Sequence, residues 1–367
     1  MKSNSTLSHG SCGFGALTPY IIPDALRGKK VVNIGDGFIL RAIERHLGAF
    51  APEMTFSPRV ALGHDAVEAL ERSPAVIIAG ANQLNDRYTI WPSLTVERVR
   101  KGRLRFVPFG VGIHGDPRQT EQLSDETRAI LEALHERIEY SSWRCPRTVA
   151  LLSREMPKRA AQFLMTGCPV MYDRPLLESG HFSTSEDAVA VTASERGEFW
   201  DRETQVIDAV RKRFPKARRY FVVHQNFSPP SRWEGVHNRV LSAINHQSTN
   251  RVKALRLYAR KNGFRVVIPA SADDCMHFYE HVDVHVGSRL HAHLLFLSRN
   301  KRSYLIPVDD RSIGMAEHFG FPLPSPGEVA RSWDCDFEIV RTKARETYPV
   351  MERFVKSLVD YRPSQGH

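Results

Sequence analysis

Short apolar runs alternate with amphipathic stretches through the first half of the chain. The runs have the length and content of strands, and the stretches between them carry apolar residues at helical spacing. This alternation predicts βαβ units and a mostly parallel sheet. The predicted strands are 31–34, 54–56, 76–79, 106–112 and 148–152. The predicted helices are 38–47, 66–71, a short one near Val96, 127–138 and 155–165.

A polar segment, residues 178–187, separates this half from a second alternating series. Because 367 residues exceed what one hydrophobic core usually serves, we predict two Rossmann-like α/β domains facing across a cleft, the glycosyltransferase-B-like arrangement. The predicted domains are 1–182 and 183–330, followed by a helical segment, 331–367, that crosses back onto the first domain. The second series contains predicted strands 188–192, 220–223, 266–268, 282–286 and 304–306. Its predicted helices are 206–214, one ending near Asn262, 274–281, 290–298, 313–319 and 337–358.

The composition, 42% hydrophobic and 25% charged, is ordinary for a globular protein. No window reaches the ~18 uninterrupted apolar residues of a membrane-spanning helix. Residues 1–27 lack the basic start and apolar core of a secretory signal. The five cysteines are widely spaced and form no CxxC pair, so we expect neither a zinc site nor a disulfide framework. These features predict a cytoplasmic protein.

The formal net charge of +10 predicts an anionic partner. A phosphorylated substrate, an anionic membrane surface and nucleic acid all fit the charge alone. Lysine and arginine are dispersed, with only short clusters at 211–213 and 216–219, which argues against a nucleic-acid-binding module. We expect those clusters to form a solvated helix end, or to touch the inner face of the plasma membrane.

An arginine and several histidines follow the predicted strand 282–286. Residues 285–293 read His-Val-Gly-Ser-Arg-Leu-His-Ala-His, and leucines at helical spacing begin at Leu290. Ligands of parallel sheets bind beyond the carboxyl ends of the strands, and exposed N–H groups at a helix start favour anions. Arg289 and His291 are therefore predicted to bind a phosphate or a carboxylate.

The sequence Asn33-Ile34-Gly35-Asp36-Gly37 opens the first predicted helix. Its glycines allow close approach of a ligand, and Asp36 can accept hydrogen bonds from hydroxyl groups or simply cap the helix. The segment lacks GxGxxG, which argues against a dinucleotide site of the usual pattern.

Further polar residues follow three other predicted strands: Asn82, His114 and Arg154. His114 can hydrogen-bond a sugar hydroxyl or lie in a structural glycine-rich turn. The guanidinium of Arg154 can grip a phosphate or a carboxylate through two parallel hydrogen bonds, or form a salt bridge. Asp309 and Arg311 end the strand that follows the Arg289 segment, and Asp309 can orient His291 or a substrate hydroxyl.

Taken in order, these motifs resemble the polysaccharide pyruvyl transferase family. The Arg-Leu-His-Ala block within 287–292 and the strand and charged loop 305–311 match that family's C-terminal hallmark. Residues 33–37 are similar to its Asn-x-Gly-Asp, and residues 153–155 to its Arg-Asp dipeptide. The sequence departs from the family at Ala81, Glu155 and Arg311, where the family has glycine, aspartate and lysine.

The resemblance implies transfer of a pyruvyl group from phosphoenolpyruvate onto two hydroxyls of a sugar, giving a cyclic ketal and releasing phosphate. His291 is the expected acid, Asp36 the expected carboxylate that assists deprotonation, and Arg289 the third catalytic residue. The expected phosphoenolpyruvate-binding residues are Arg154, Ser288, Arg289, His291 and Arg311. The expected acceptor-binding residues are Asn33, Gly35, Asp36, Asn82 and His114. No metal or organic cofactor is required by this scheme.

One alternative is a nucleotide-sugar-dependent glycosyltransferase, because the same fold serves sugar transfer. The acceptor can be a polysaccharide or a lipid-linked precursor, and the sequence does not choose between them. His285 and His293 are expected to be buried core residues, although with His291 they also have the composition of a metal site.

Overall fold

The computed structural model describes residues 13–23, 26, 31–113, 122–178, 180–194, 197–227, 246–331 and 335–360. It is an α/β protein with two sets of parallel strands. The strands are β1 Gly15–Leu17, β2 Val31–Asn33, β3 Met54–Phe56, β4 Val76–Ala79, β5 Phe106–Phe109, β6 Ser141–Trp143, β7 Phe163–Met165, β8 Ala188–Thr192, β9 Arg218–Val222, β10 Gln225–Phe227, β11 Arg265–Val267, β12 Val284–Gly287 and β13 Arg302–Leu305. The helices are α1 Ile34–Leu47, α2 His64–Glu71, α3 Val96–Lys101, α4 Asp125–His135, α5 Pro146–Glu155, α6 Arg174–Leu177, α7 Trp200–Arg213, α8 His246–Lys261, α9 Ala272–Glu280, α10 Leu290–Ser298, α11 Asp310–Phe319, α12 Pro326–Ala330 and α13 Glu338–Val359.

The first sheet has the parallel order β3-β1-β4-β5. Backbone bonds from Gly110 N–H to the Ser142 carbonyl (3.0 Å) and from Arg144 N–H to the Val111 carbonyl (2.9 Å) join it to the parallel pair β6-β7. One of its two inner strands, β1, is the three-residue segment Gly-Ala-Leu, which the sequence analysis did not identify. Glycine and alanine have low strand propensity, and β1 is held by its neighbours on both sides.

The predicted strand 148–152 is wrong, because these residues lie within helix α5. Proline at the first helical position begins this helix at Pro146, and Pro157 follows its end. Thr148, Leu151 and Leu152 are its buried face rather than one side of a strand. The predicted helix 155–165 is also wrong, since a short 3₁₀ helix, Pro157–Gln162, leads there into strand β7.

The second sheet has the parallel order β11-β9-β8-β12-β13, as the alternation in the second half predicts. Strand β8 and helix α10 begin and end at the predicted residues. Every residue of β8 and β12 is buried, which is typical of parallel strands covered by helices on both faces. The polar segment before this sheet has no regular secondary structure at residues 180–186.

Strand β2 was predicted to start the first sheet, but it pairs antiparallel with β10 beside the second sheet. The Ile34 N–H also donates to the His224 carbonyl (3.0 Å), so the start of α1 is fixed to the end of β9. Paired side-chain hydrogen bonds join Arg41 on α1 to Asp273 on α9 (2.8 and 2.6 Å). We call the first sheet with its helices the first unit and the second sheet with its helices the second unit. Helix α1, which precedes β3 of the first unit, packs directly on the second unit.

The final helix α13 crosses back onto the first unit, as predicted. The Phe354 ring meets the Phe109 ring of β5 edge-on at 4.9 Å, and the Arg353 guanidinium lies 5.3 Å from the ring of Tyr140. Among the helices described, none is long and apolar enough to cross a membrane.

Candidate functional site

A cavity opens at the carboxyl ends of four adjacent strands of the second sheet. The second unit contributes His224 after β9, Ser194 after β8, Arg289 and His291 after β12, and Asp309 after β13. Asn33 and Gly35, at the start of α1, form the side that belongs to the first unit. The cavity contains about 490 Å³ of space outside the protein atoms, part of it open to solvent.

Gly287 shapes the turn that presents the Arg-Leu-His block. Its φ of +151° is one that side chains rarely adopt, and a Cβ there would collide with the carbonyl of Thr192. The next residue, Ser288, is buried and donates its N–H to the same carbonyl (3.1 Å). The chain thus turns sharply at the end of β12, and Arg289 becomes the N-cap of α10.

The guanidinium of Arg289 is fixed by two backbone carbonyls at the end of β8. Its Nε donates to the Ala193 oxygen (2.6 Å), and an Nη donates to the Ser194 oxygen (2.8 Å). Guanidinium groups offer five N–H donors in a planar fork, so these two bonds set the direction in which the charge is presented. The arrangement fits an anionic ligand.

His291 lies in the first turn of α10 and is 6% exposed. It packs against Gly35, where an added Cβ would lie 2.8 Å from Nδ1 and 3.2 Å from Cβ of the histidine. Only glycine permits so close an approach between the starts of α1 and α10. Arg289 and His291 therefore reach one cavity, although they are two positions apart in the chain.

Three helices, α1, α10 and α11, begin at this cavity. Helix α10 has no acidic residue in its first turn and no side-chain cap. The N–H groups at a helix start carry partial positive charge, so the start of α10 beside Arg289 makes a site for a negatively charged group.

Asn33 caps α1, because its side-chain oxygen accepts from the Gly35 N–H (3.3 Å). Its amide nitrogen donates to the carboxylate of Asp36 (3.0 Å). Asp36 is 7% exposed and is not among the residues that line the cavity, whereas Asn33 lines it. The capping role considered for Asp36 thus belongs to Asn33, and the predicted catalytic role of Asp36 stays a prediction.

His224 is a cavity residue that the sequence analysis missed. It is fully buried, and its Nε2 lies 2.6 Å from the hydroxyl of Tyr279 on α9. Burial, and after it the charge of Arg289, holds the pKa of His224 well below its usual range. The signal was available, because His224 follows a strand of the parallel sheet just as Arg289 does.

His285 and His293 lie in the core, as expected. The Nδ1 atoms of both rings are hydrogen-bonding partners of the Ser303 hydroxyl, at 2.7 and 2.8 Å, and Nε2 of His285 lies 2.8 Å from the Thr192 hydroxyl. Burial lowers the pKa of His285 to about 3. No group of three or more metal-ligating side chains occurs among the described residues.

The sequence profile of the family described as "Polysaccharide pyruvyl transferase" matches residues 33–310, a span that runs from Asn33 through Asp309 of the cavity. The chain belongs to the polysaccharide pyruvyl transferase family. It is accordingly a transferase, and a sugar or polysaccharide acceptor is consistent with this membership. None of the curated proteins compared with this transferase matches it.

Among solved structures, S. aureus MnaA, determined with UDP, is similar to this transferase over 97% of its chain and 99% of the MnaA chain, with 11% identity and a TM-score of 0.50. The UDP-N-acetylglucosamine 2-epimerase from Rickettsia bellii is similar over 95% of this transferase and 97% of the epimerase chain, with 10% identity and a TM-score of 0.49. The likeness to MnaA shows a glycosyltransferase-B-like fold for the pyruvyl transferase. At this identity it concerns the fold alone.

The structure does not bring every predicted residue of this transferase to the cavity. Arg154 lies in the last turn of α5, with its side chain 61% exposed and 3.6 Å from Glu155. The position expected for it, between a strand end and a helix start, is held by the buried Arg144, which donates to the side chain of Asn82. Asn82 belongs to that cluster of the first unit and does not line the cavity.

Two further predicted residues of the pyruvyl transferase cannot be placed. His114 lies outside the described residues. Arg311 is in the first turn of α11, the helix that begins at the cavity, but its side chain also lies outside the described part of the structure. Their expected roles stay predictions.

Proposed function

We propose that this transferase moves the pyruvyl group of phosphoenolpyruvate onto two hydroxyls of one sugar in a polysaccharide or its lipid-linked precursor. The observation that carries the proposal is the cavity in which Arg289 and three helix starts converge. Phosphoenolpyruvate carries a phosphate and a carboxylate, so it needs several positive groups held in fixed positions.

The donor would bind with its anionic groups against the start of α10. The oriented guanidinium of Arg289 would grip one of them through a charge-assisted pair of hydrogen bonds. N–H groups at the starts of α10 and α11, together with the buried Ser288, would hold the other. The donor's reactive carbon would then face the first unit, where Asn33 and Gly35 line the cavity.

In the reaction, His291 would give a proton to the methylene carbon of phosphoenolpyruvate, which becomes the methyl group. The first sugar hydroxyl would then bond to the adjacent carbon and lose its proton. The bond from that carbon to the phosphate oxygen breaks, phosphate leaves with the electron pair, and the second hydroxyl closes the ketal while losing its own proton. One of the two released protons restores His291, and the other leaves with the phosphate.

Asn33 lines the side of the cavity that the first unit forms, and its amide can hydrogen-bond a sugar hydroxyl. Asp36 fixes that amide through its 3.0 Å bond. We propose that Asp36 serves the acceptor through Asn33. The scheme uses no metal or organic cofactor, and both absences remain predictions.

A peripheral membrane contact also remains a prediction. The cluster Arg211, Lys212 and Arg213 ends helix α7, and Arg218 begins β9, so these residues lie at the sheet edge opposite to the cavity. Cations at helix C-termini are favourable without any partner, because they complement the helix dipole. The solvated helix end is therefore the better-supported reading of this cluster.

The proposal is tested by measuring phosphate release from phosphoenolpyruvate with a panel of galactose-, mannose- and glucuronate-containing acceptors. Acceptor-dependent release is expected, and it should be lost in Arg289→Ala and His291→Ala. Matched controls are Arg174→Ala and His277→Ala, whose side chains are 88% and 76% exposed and do not line the cavity. Binding of a UDP sugar without any binding of phosphoenolpyruvate would refute the donor assignment and favour the glycosyltransferase alternative.

A further inference from the structure

A buried carboxylate, Glu203, contacts Ser194, whose carbonyl accepts a hydrogen bond from Arg289, and Glu203 is not among the residues that line the cavity. It is in the first turn of α7 and is 3% exposed. Removing an ionised carboxylate from water is costly unless hydrogen bonds compensate for the lost hydration. A carboxylate kept in such a position calls for a role that an apolar side chain cannot fill.

The contacts of Glu203 lead directly to the donor site. Its Oε1 accepts hydrogen bonds from the N–H and from the hydroxyl of Ser194, the latter at 2.5 Å. The carbonyl of Ser194 in turn accepts from Arg289 at 2.8 Å, and the carbonyl of the preceding Ala193 accepts from the same guanidinium at 2.6 Å. A continuous chain of contacts therefore runs from Glu203 through residues 193–194 to Arg289.

We propose that Glu203 is a positioning residue of the donor site: it fixes the backbone of residues 193–194 and thereby the direction in which Arg289 presents its charge to an anion. Ser194 lies two residues beyond the end of β8, and Glu203 accepts hydrogen bonds from both its N–H and its hydroxyl. Two hydrogen bonds to one oxygen fix the directions of the N–H and of the hydroxyl of Ser194, and with them the backbone of residues 193–194. The phosphoenolpyruvate part of the inference rests on the proposed function, but the anion-binding part does not.

Substitutions at this position separate positioning from simple packing. Both hydrogen bonds end on the same oxygen, Oε1, so Glu203→Gln can keep this acceptor while it replaces the other carboxylate oxygen by an NH2 group. Glu203→Ala removes the acceptor and frees residues 193–194. Asp201→Ala is the matched control, because Asp201 lies two residues earlier in the same helix turn and is exposed.

The test measures the Kd of inorganic phosphate and of phosphoenolpyruvate by calorimetry, together with KM, kcat and Tm, for the wild type and these variants. Glu203→Ala should raise the Kd of both anions about tenfold, which corresponds to about 1.4 kcal/mol of binding free energy. It should also raise KM for phosphoenolpyruvate more than it lowers kcat. Glu203→Gln should stay within about threefold of the wild type, and Asp201→Ala should be unchanged. Glu203→Asp keeps the carboxyl group but shortens the side chain, and it covers the case in which the alanine variant does not fold. This variant should raise the Kd of phosphate while its Tm stays unchanged.

Wild-type affinity for phosphate in folded Glu203→Ala or Glu203→Asp, with affinity lost in Arg289→Ala, would overturn the positioning role. A lowered Tm with unchanged Kd would do the same, because it would make Glu203 a packing residue only. If the wild type binds phosphate but neither binds nor consumes phosphoenolpyruvate, the proposed function fails while the positioning role is still decided by the phosphate measurements. If the wild type binds neither anion, both proposals fail.

Discussion

The contact between Gly35 and His291 gives a sharp prediction, because a single methyl group tests it. In Gly35→Ala the new Cβ would lie 2.8 Å from Nδ1 of His291. Non-bonded heavy atoms attract one another at ~3.5 Å, so the His291 ring and the new Cβ must move apart by about 0.7 Å. Misplacement by about 1 Å can cost a reaction ~100-fold, so we expect kcat/KM to fall roughly 10- to 100-fold, or ~1.4–2.7 kcal/mol.

Stability should change much less than activity. Overpacking destabilises the folded state by ~1–3 kcal/mol, whereas replacing glycine by alanine within a helix stabilises it by about 1 kcal/mol. The free energy of unfolding should therefore fall by no more than ~2 kcal/mol. Phosphate release and urea unfolding are measured on the same preparations. Gly63→Ala is the control, since no atom lies within 4 Å of the Cβ that would be added at the start of α2. A folded Gly35→Ala enzyme with the kcat/KM of the wild type would refute the argument that this close approach positions His291.

Three other predictions follow from single contacts. Arg289→Lys keeps the charge but loses the fork on the two carbonyls at the end of β8, so KM for phosphoenolpyruvate should rise about tenfold; an unchanged KM in steady-state assays would count against the fork. Ser303→Ala removes the hydroxyl between His285 and His293, which should lower the free energy of unfolding by about 1–3 kcal/mol in urea titrations, and no loss would contradict that role. Burial lowers the pKa of His135 from 6.5 to about 4, so the unfolded chain takes up its proton first and stability falls as pH drops through this window. In His135→Gln that fall should be shallower by up to ~1.4 kcal/mol per pH unit, and equal slopes in urea titrations between pH 7 and 4.5 would disprove it.

The sequence by itself determined the fold class and identified two of the residues that line the cavity. An apolar run of strand length predicted β8 with its observed bounds, and leucines at helical spacing predicted α10 with its observed bounds. The rule that ligands bind beyond strand ends then pointed to Arg289 and His291, and both line the cavity. These features are local, since periodicity along the chain reports which residues are buried.

Periodicity was misleading where a helix has a narrow buried face. Thr148, Leu151 and Leu152 looked like a strand, although Pro146 and Pro157 marked the two ends of a helix. Consequently Arg154 was placed at a strand end, a position that Arg144 occupies. Proline positions carry the stronger signal here, because they constrain the backbone directly.

Only the tertiary structure decided which strands pair and which helix starts meet. Val31–Asn33 has strand content, yet it pairs with β10, nearly 200 residues away, while the weak strand β1 takes a place inside the first sheet, between β3 and β4. Tertiary packing likewise placed His224 in the cavity wall, beside residues that are distant in sequence. It also brought Glu203 of α7 against Ser194, which lies on another element. Local patterns record burial but not the identity of the partner, and the partner is set by the packing of the whole chain.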